Sequence, residues 1–261
     1  MHITEYLKDN NYKSPYIYYS RNYVSQNGED GIIEQILNEL DISNGNVMEF
    51  GAWDGIYLCN TYLLYKTGNF NAILVESDTN RFNKLKKNTE KLNNVEIYNC
   101  LISPDSDNIN SVDSIVNKSK FNINNNNFTI LVIDVDSIDY YIFNGIQKYN
   151  PILIIVECIN KYKITDEYIN NDGASLYSLT QLANSKNYTL ICYNLNAFFI
   201  RNDYINKLKS YNNNLSINDY DAPVKILQKI NKDGNIFNDI NNNIRYYQSE
   251  QYNTIIKNES A

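Results

Sequence analysis

The residues best equipped for chemistry in this sequence are carboxylates that close apolar runs. Asp134, Asp136 and Asp139 follow one such run in FTILVIDVDSID, and Glu157 closes another in PILIIVE. In extended chain Asp134 and Asp136 point to the same side, and Asp139 falls in the next turn or helix start. If the two runs are neighbouring strands, Glu157 and the loop residue Asn160 converge with them. Oxygen ligands of this kind suit Mg²⁺ or another hard divalent ion. A hydroxyl bound to such an ion has a lowered pKa and is fixed for attack. Hydrogen bonding to a cofactor or substrate, and capping of a turn or helix, are the other uses open to these acids. Asp136, Asp139 and Lys161 are the candidate bases for a hydroxyl proton, with an aspartate beside a metal preferred.

A second constellation lies in NVMEFGAWDG, where Glu49 sits near the end of an apolar run that turns through Gly51 and Gly55. The next apolar run, NAILVE, ends in Glu76. A glycine turn between strand and helix lets the backbone approach a ligand closely, and an acid at the tip of the following strand can accept hydrogen bonds from two ribose hydroxyls. This is the layout of a nucleoside-binding crevice at the carboxyl edge of a parallel sheet. A dinucleotide fingerprint requires a middle glycine to make room for pyrophosphate. Here that glycine is missing, with Trp53 following Ala52.

Several chemistries are excluded or disfavoured. His2 is the only histidine and sits in the N-terminal arm, which disfavours histidine catalysis; no Ser-His-Asp set, Cys-His pair or phosphate-binding Gly-Lys-Ser loop is evident. The net charge of −7 disfavours a general nucleic-acid surface. Lys84, Lys86, Lys87 and Lys91 read as a solvated helix face. Cys59, Cys100, Cys158 and Cys192 are too scattered for a zinc knuckle and are expected to be reduced and largely buried. No apolar run approaches the roughly 18 residues of a spanning helix, and no leader segment is evident, so a cytoplasmic location is expected, in a host's cytoplasm if the source is viral.

These acids need a scaffold, and the 261 residues are enough for one full-sized core. Apolar runs at 46–51, 71–76, 95–102, 128–134 and 151–157 alternate with helical patterns, and TLICYN and AFFIR close the series as a tight hairpin. The alternation predicts an α/β, Rossmann-like, mostly parallel sheet of about seven strands, with helices on both faces and a terminal antiparallel hairpin. A helix is expected after the turn Ser25–Gly28, with Glu29 and Asp30 in its first turn and apolar residues running from Ile32 to Leu40, and another capped by Thr79. Residues 1–24 read as an N-terminal arm, 25–201 as the domain, and 202–261 as an Asn-rich extension with a helix from Ala222. The extension has three open uses: covering the site's mouth, pairing two copies as a homodimer, or partial disorder.

SQNGEDGIIEQI (25–36), VMEFGAWDG (47–55), AILVESD (72–78), LVIDVDSIDYYI (131–142), PILIIVE, GASL (173–176) and NAFFIR (196–201) together resemble the class I S-adenosylmethionine-dependent methyltransferases. More narrowly, they are similar to the FkbM-like group associated with O-methylation of sugars and natural products. The resemblance implies S-adenosyl-L-methionine as cofactor. Glu49, Gly51 and Gly55 would border its methionine part, Glu76 would hold the ribose, and Leu101 and Ile102 would flank adenine. Gln26 and Asp30 would close over the cofactor or substrate. Asp134 stands where metal-dependent relatives keep a first metal carboxylate, with Glu157 as a second ligand, although many relatives have glycine where Ser137 stands. The implied activity is O-methylation of a sugar hydroxyl in a glycan precursor or glycosylated small molecule. Tyr140, Tyr141, Tyr162 and Tyr168 are available to stack on a sugar ring, although simple packing is the more ordinary use of a tyrosine. Methylation of nucleic acid (a cap or terminal nucleotide) or protein, and a non-catalytic binding protein that kept the fold, are the alternatives.

Overall fold

The computed structural model describes residues 13–159 and 161–220. The expected helix from Ala222, and the first half of the arm, lie outside the described residues. The chain builds β1 (Gly45–Phe50), β2 (Phe70–Val75), β3 (Val95–Tyr98), β4 (Phe128–Ile133), β5 (Leu153–Glu157), β6 (Ile169–Asn170), β7 (Gly173–Ala174), β8 (Tyr188–Tyr193) and β9 (Asn196–Arg201). The helices are α1 (Glu29–Leu40), α2 (Tyr62–Lys66), α3 (Thr79–Thr89), α4 (Val112–Lys118), α5 (Asp139–Gly145) and α6 (Leu176–Ser185).

Seven strands form one sheet in the order β3-β2-β1-β4-β5-β9-β8. The first five are parallel, and β9 runs antiparallel between β5 and β8, as the terminal hairpin predicts. The fold is thus the expected Rossmann-like α/β sheet. β6 and β7 make a separate small hairpin in the loop after β5.

Strand alternation divides the core into two layers. Val47, Ile130, Val132, Leu153 and Ile155 face one layer, with Ile32, Ile33 and Ile36 of α1 and Tyr62 and Tyr65 of α2. Met48, Phe50, Leu131, Ile133, Ile154 and Val156 face the other, with α4, α5 and α6. Glu49 and Glu157 have the parity of the first set, and Asp134 continues it one residue past β4. The acids of three neighbouring strands therefore share a side of the sheet.

Local signals explain most boundaries. Gly68, at φ +81°, ends the α2 segment by donating its N–H to the Tyr65 carbonyl. The expected cap at Thr79 is corrected by one residue: Asp78 caps α3, its carboxylate accepting from Arg81 N at 2.8 Å. Part of the C-terminal extension packs on the domain, where Leu208 and Tyr220 are buried and the Tyr220 hydroxyl donates to the Leu190 carbonyl. Cys59, Cys158 and Cys192 are buried, Cys100 is half-buried, and all four are free thiols. No helix among the described residues is long and apolar enough to cross a membrane.

Candidate functional site

The strand order reverses between β1 and β4, because the chain runs outward from β1 through β2 to β3 and then returns to β1's other side. The carboxyl ends of strands at such a switch point splay apart and leave a crevice. A cavity of about 450 Å³ lies there, walled by the ends of β1, β2, β4 and β5. That volume suits a small ligand.

The turn after β1 forms one wall. Gly51 has φ +73°, and a Cβ on it would overlap the Asp134 carbonyl oxygen, so only glycine lets β1 and β4 approach this closely. Trp53 is also held at positive φ, +50°. Its N–H donates to Glu76 Oε2 at 2.9 Å, while Asp78 N–H donates to Glu76 Oε1 at 2.7 Å. Glu76 is buried on the cavity wall, and each of its oxygens retains a lone pair. The Arg81 guanidinium stacks over the Trp53 ring at 3.6 Å, and Tyr57 meets that ring edge-on at 5.7 Å. Leu101 and Ile102 line the same end of the cavity. Leu101 is 72% exposed and Ile102 only 4%, so Leu101 presents an uncovered apolar surface there.

Glu49 also lies on the wall, but its carboxylate is occupied by the loop leading to α2. Asn60 N–H donates to Oε1 at 2.8 Å, and Thr61 N–H and the Cys59 thiol donate to Oε2, each at 3.0 Å. Burial raises the pKa of Glu49, and it raises the Cys59 thiol further, with the nearby Glu49 charge second. On the α1 side, Glu29 is buried and accepts from Asn27 N–H at 2.6 Å and from the Asn196 amide at 2.9 Å. Burial raises its pKa too. Gln26 and Asn196 lie on the same wall.

Across the cavity the acids of β4 and β5 converge. One carboxylate oxygen each from Asp134, Asp136 and Glu157 lies within 4.8 Å of the others. Burial drives Asp134 well above the usual carboxylate range, with the Glu157 charge the next cause. Glu157 is pushed up to about 7, by burial first and then by Asp139 and Asp136. Asp136 sits at φ +60° in the turn after β4. Three carboxylate oxygens clustered in this way have the donor chemistry of a hard divalent cation site.

The structure reassigns three residues expected in the site. Asp30 does not reach the cavity, because its Oδ2 accepts from the N–H groups of Tyr23, Val24 and Ser25 at 2.7–3.0 Å and so folds the turn before α1. Asp139 accepts from Val135 N–H at 2.8 Å and Ser137 N–H at 3.0 Å. It shapes the turn that carries Asp136 and does not line the cavity, and burial holds it up at about 6. Gly55, at φ +81°, is away from the cavity, where a Cβ would meet Leu85 Cδ1 at 2.6 Å. Asn160 lies outside the described residues. The site residues that sequence reasoning passed over are Arg81, Asn60, Glu29 and Asn196.

No protein-family model matches the sequence, and no curated protein matches it. Solved structures with a similar chain path include a SAM-dependent methyltransferase from Aquifex aeolicus, 11% identical over 76% of this chain and 96% of that one, with a TM-score of 0.38. M. capricolum TrmK in complex with S-adenosyl-homocysteine is 17% identical over 85% and 94%, at 0.42. A precorrin-6y C5,15-methyltransferase from Geobacter metallireducens is 9% identical over 69% and 92%, at 0.41. At these identities the likeness is one of chain path.

Proposed function

We propose that this chain is an S-adenosyl-L-methionine-dependent O-methyltransferase of the FkbM-like kind, acting on a sugar hydroxyl of a glycan precursor or glycosylated small molecule in the cytoplasm. One observation carries the reading. The cavity at the switch point is walled by a buried carboxylate, Glu76, and by the carboxylate trio Asp134, Asp136 and Glu157. The cofactor, when bound, would supply a sulfonium methyl to an acceptor oxygen, with its neutral thioether as the leaving group.

The chain's own residues have the remaining tasks. Glu76 accepts the ribose hydroxyls while holding Trp53 and Asp78 in place. Leu101 and Ile102 cover the base. The trio aligns the acceptor hydroxyl, and Asp136, the exposed member, takes its proton. The same carboxylates fit a hard divalent ion such as Mg²⁺, which would supply Lewis acidity to the acceptor oxygen.

A pair of tyrosines in the loop after β5 favours a ring-shaped acceptor in this reading. Tyr162 and Tyr168, in the loop after β5, stack at 3.8 Å between centroids, and Glu167 of that loop acts electrostatically on Tyr140 of α5. The outer face of such a stacked pair suits the apolar face of a sugar. The acidic balance works against an extended nucleic-acid acceptor. The test is methyl transfer from labelled cofactor to nucleotide-sugars, oligonucleotides and peptides. Transfer to the sugars, reduced by chelator, is the expected result. Transfer confined to oligonucleotides or peptides would replace the acceptor assignment, and cofactor binding with no transfer would favour a binding protein.

A further inference from the structure

Asn196 stands beside the carboxylate trio. It opens β9, and its register partner in the antiparallel β5–β9 ladder is Glu157. The next pair along, Cys158 and Leu195, is hydrogen-bonded, Cys158 N–H donating to the Leu195 carbonyl at 3.0 Å. Pairs alternate in such a ladder, so Glu157 and Asn196 form a non-hydrogen-bonded pair, the kind whose side chains stand closest on one face. Asn196 is only 5% exposed and lies on the cavity wall. Its amide has a fixed direction: Nδ2 donates to Glu29 Oε1 at 2.9 Å, and Oδ1 is left without a partner among the described residues. The Asn60 Oδ1 is also unpaired but is sealed by packing, whereas the Asn196 oxygen is open to the cavity. An acceptor held in place on a cavity wall marks where a donor arrives with a ligand.

The electrostatics specify the donor. Among the described residues lining the cavity, the carboxylates of Glu29, Glu49, Glu76, Asp134, Asp136 and Glu157 face a single cation, Arg81, which is committed to the Trp53 ring beside Glu76. No cation lies at the Asn196 end. A hydroxyl arriving there has one proton for two neighbouring acceptors and brings no charge. An ammonium group has three donors, enough for both Asn196 Oδ1 and Glu157, and it compensates the carboxylate.

We propose that Asn196 and Glu157 together recognise a free amine on the acceptor, so that the substrate is an amino sugar methylated on a hydroxyl beside its amine. Asn196 supplies the direction through its fixed oxygen, and Glu157 supplies the charge. This rests on the methyltransferase reading above and narrows its acceptor class. An acylated amine, which has lost its charge and two of its protons, is rejected by the same pair.

The experiment is methyl transfer from labelled cofactor to UDP-glucose, to its amino-deoxy forms with the amine at each ring position in turn, and to their N-acetylated forms. Wild-type protein, Asn196→Leu and Glu157→Gln are compared, and the readout is the ratio of kcat/KM for the free amine over the hydroxyl and acetamide forms. Wild-type protein is expected to prefer one free amino sugar by about 10- to 100-fold, the usual range for hydrogen bonds to a charged group, with the methyl on oxygen. Asn196→Leu, which keeps the size and removes the oxygen, is expected to bring the ratio to within about threefold of unity. Glu157→Gln, which removes the charge, is expected to lower the ratio as well, and it decides the matter if the leucine variant does not fold. No preference in wild-type protein, a preference that survives in folded Asn196→Leu, or a methyl found on nitrogen overturns the assignment while sugar methylation stands. Protein that binds S-adenosylhomocysteine but methylates none of these sugars overturns the sugar-acceptor reading, and this inference with it.

Discussion

The α-carbon of Gly51 and the carbonyl oxygen of Asp134 are so close that no side chain fits between them. This contact joins β1 to β4 where the strand order reverses, so it sets the distance from the turn carrying Trp53 to the carboxylates on β4 and β5. Gly51→Ala is predicted to lose cofactor binding and to destabilise the fold by several kcal/mol, on the order of the cost of overpacking plus a left-handed backbone. Gly68→Ala is the control, because Gly68 shares the positive φ but has nothing within 4 Å of a built Cβ. It should cost about 1–2 kcal/mol and leave binding unchanged. Thermal melts and ligand titration of the two variants make the comparison, and equal loss of binding in both would refute the contact's role.

Glu76 and Arg81 should be separable by fluorescence, because Trp53 is the chain's single tryptophan. Glu76→Ala removes the ribose acceptor and also frees the Trp53 and Asp78 N–H groups. It should weaken S-adenosylhomocysteine by roughly 100-fold or more, as expected when several hydrogen bonds to a charged group are lost. Arg81→Ala should change the emission of the free protein by uncovering the ring, with an affinity loss of about tenfold or less, in the range of a cation–π contact. Emission unaltered in Arg81→Ala would contradict the stack.

Asp136 and Asp139 should give opposite phenotypes. Asp139→Ala strips two backbone N–H groups of their acceptor and should cost about 1–3 kcal/mol of stability, displacing Asp136 as well. Asp136→Asn, at an exposed position, should leave the melting temperature nearly unchanged and abolish most turnover. A stable, fully active Asp136→Asn would remove it from the proton-accepting role.

Divalent-ion binding should depend on pH with a fixed sign. Glu157 is raised to about 7, so at lower pH it carries a proton that a cation must displace. The apparent affinity for Mg²⁺ or Mn²⁺ should therefore rise with pH, by about fivefold between pH 6 and 7 for the one proton displaced from Glu157, and level off above that. Titrations at pH 6, 7 and 8 test this, with Asp134→Asn expected to abolish the binding. A flat profile with unchanged binding in Asp134→Asn would remove the metal from the account.

The sheet was legible because its strands are nearly continuous apolar runs, each with helical spacing after it. Every acid named from a strand end, Glu49, Glu76, Asp134 and Glu157, lies on the cavity wall, since the carboxyl ends of parallel strands share one edge. Asp30 and Asp139 were misread for a common reason. An acid beside a helix start looks the same in sequence whether it faces a ligand or binds the N–H groups of its own turn, as both do. Gly55 was paired with Gly51 by spacing, although its positive φ serves the packing of Leu85. Arg81 left no local signal, because it reaches Trp53 only through the β1–β2 pairing.

The most direct test of the central claim, that the switch-point cavity holds an adenosyl amino acid, is calorimetric titration of the folded wild-type protein with S-adenosylhomocysteine, with and without Mg²⁺. The account predicts one site per chain, micromolar-range affinity and little effect of the ion. A cooperatively folded sample that shows no binding heat under either condition would contradict it.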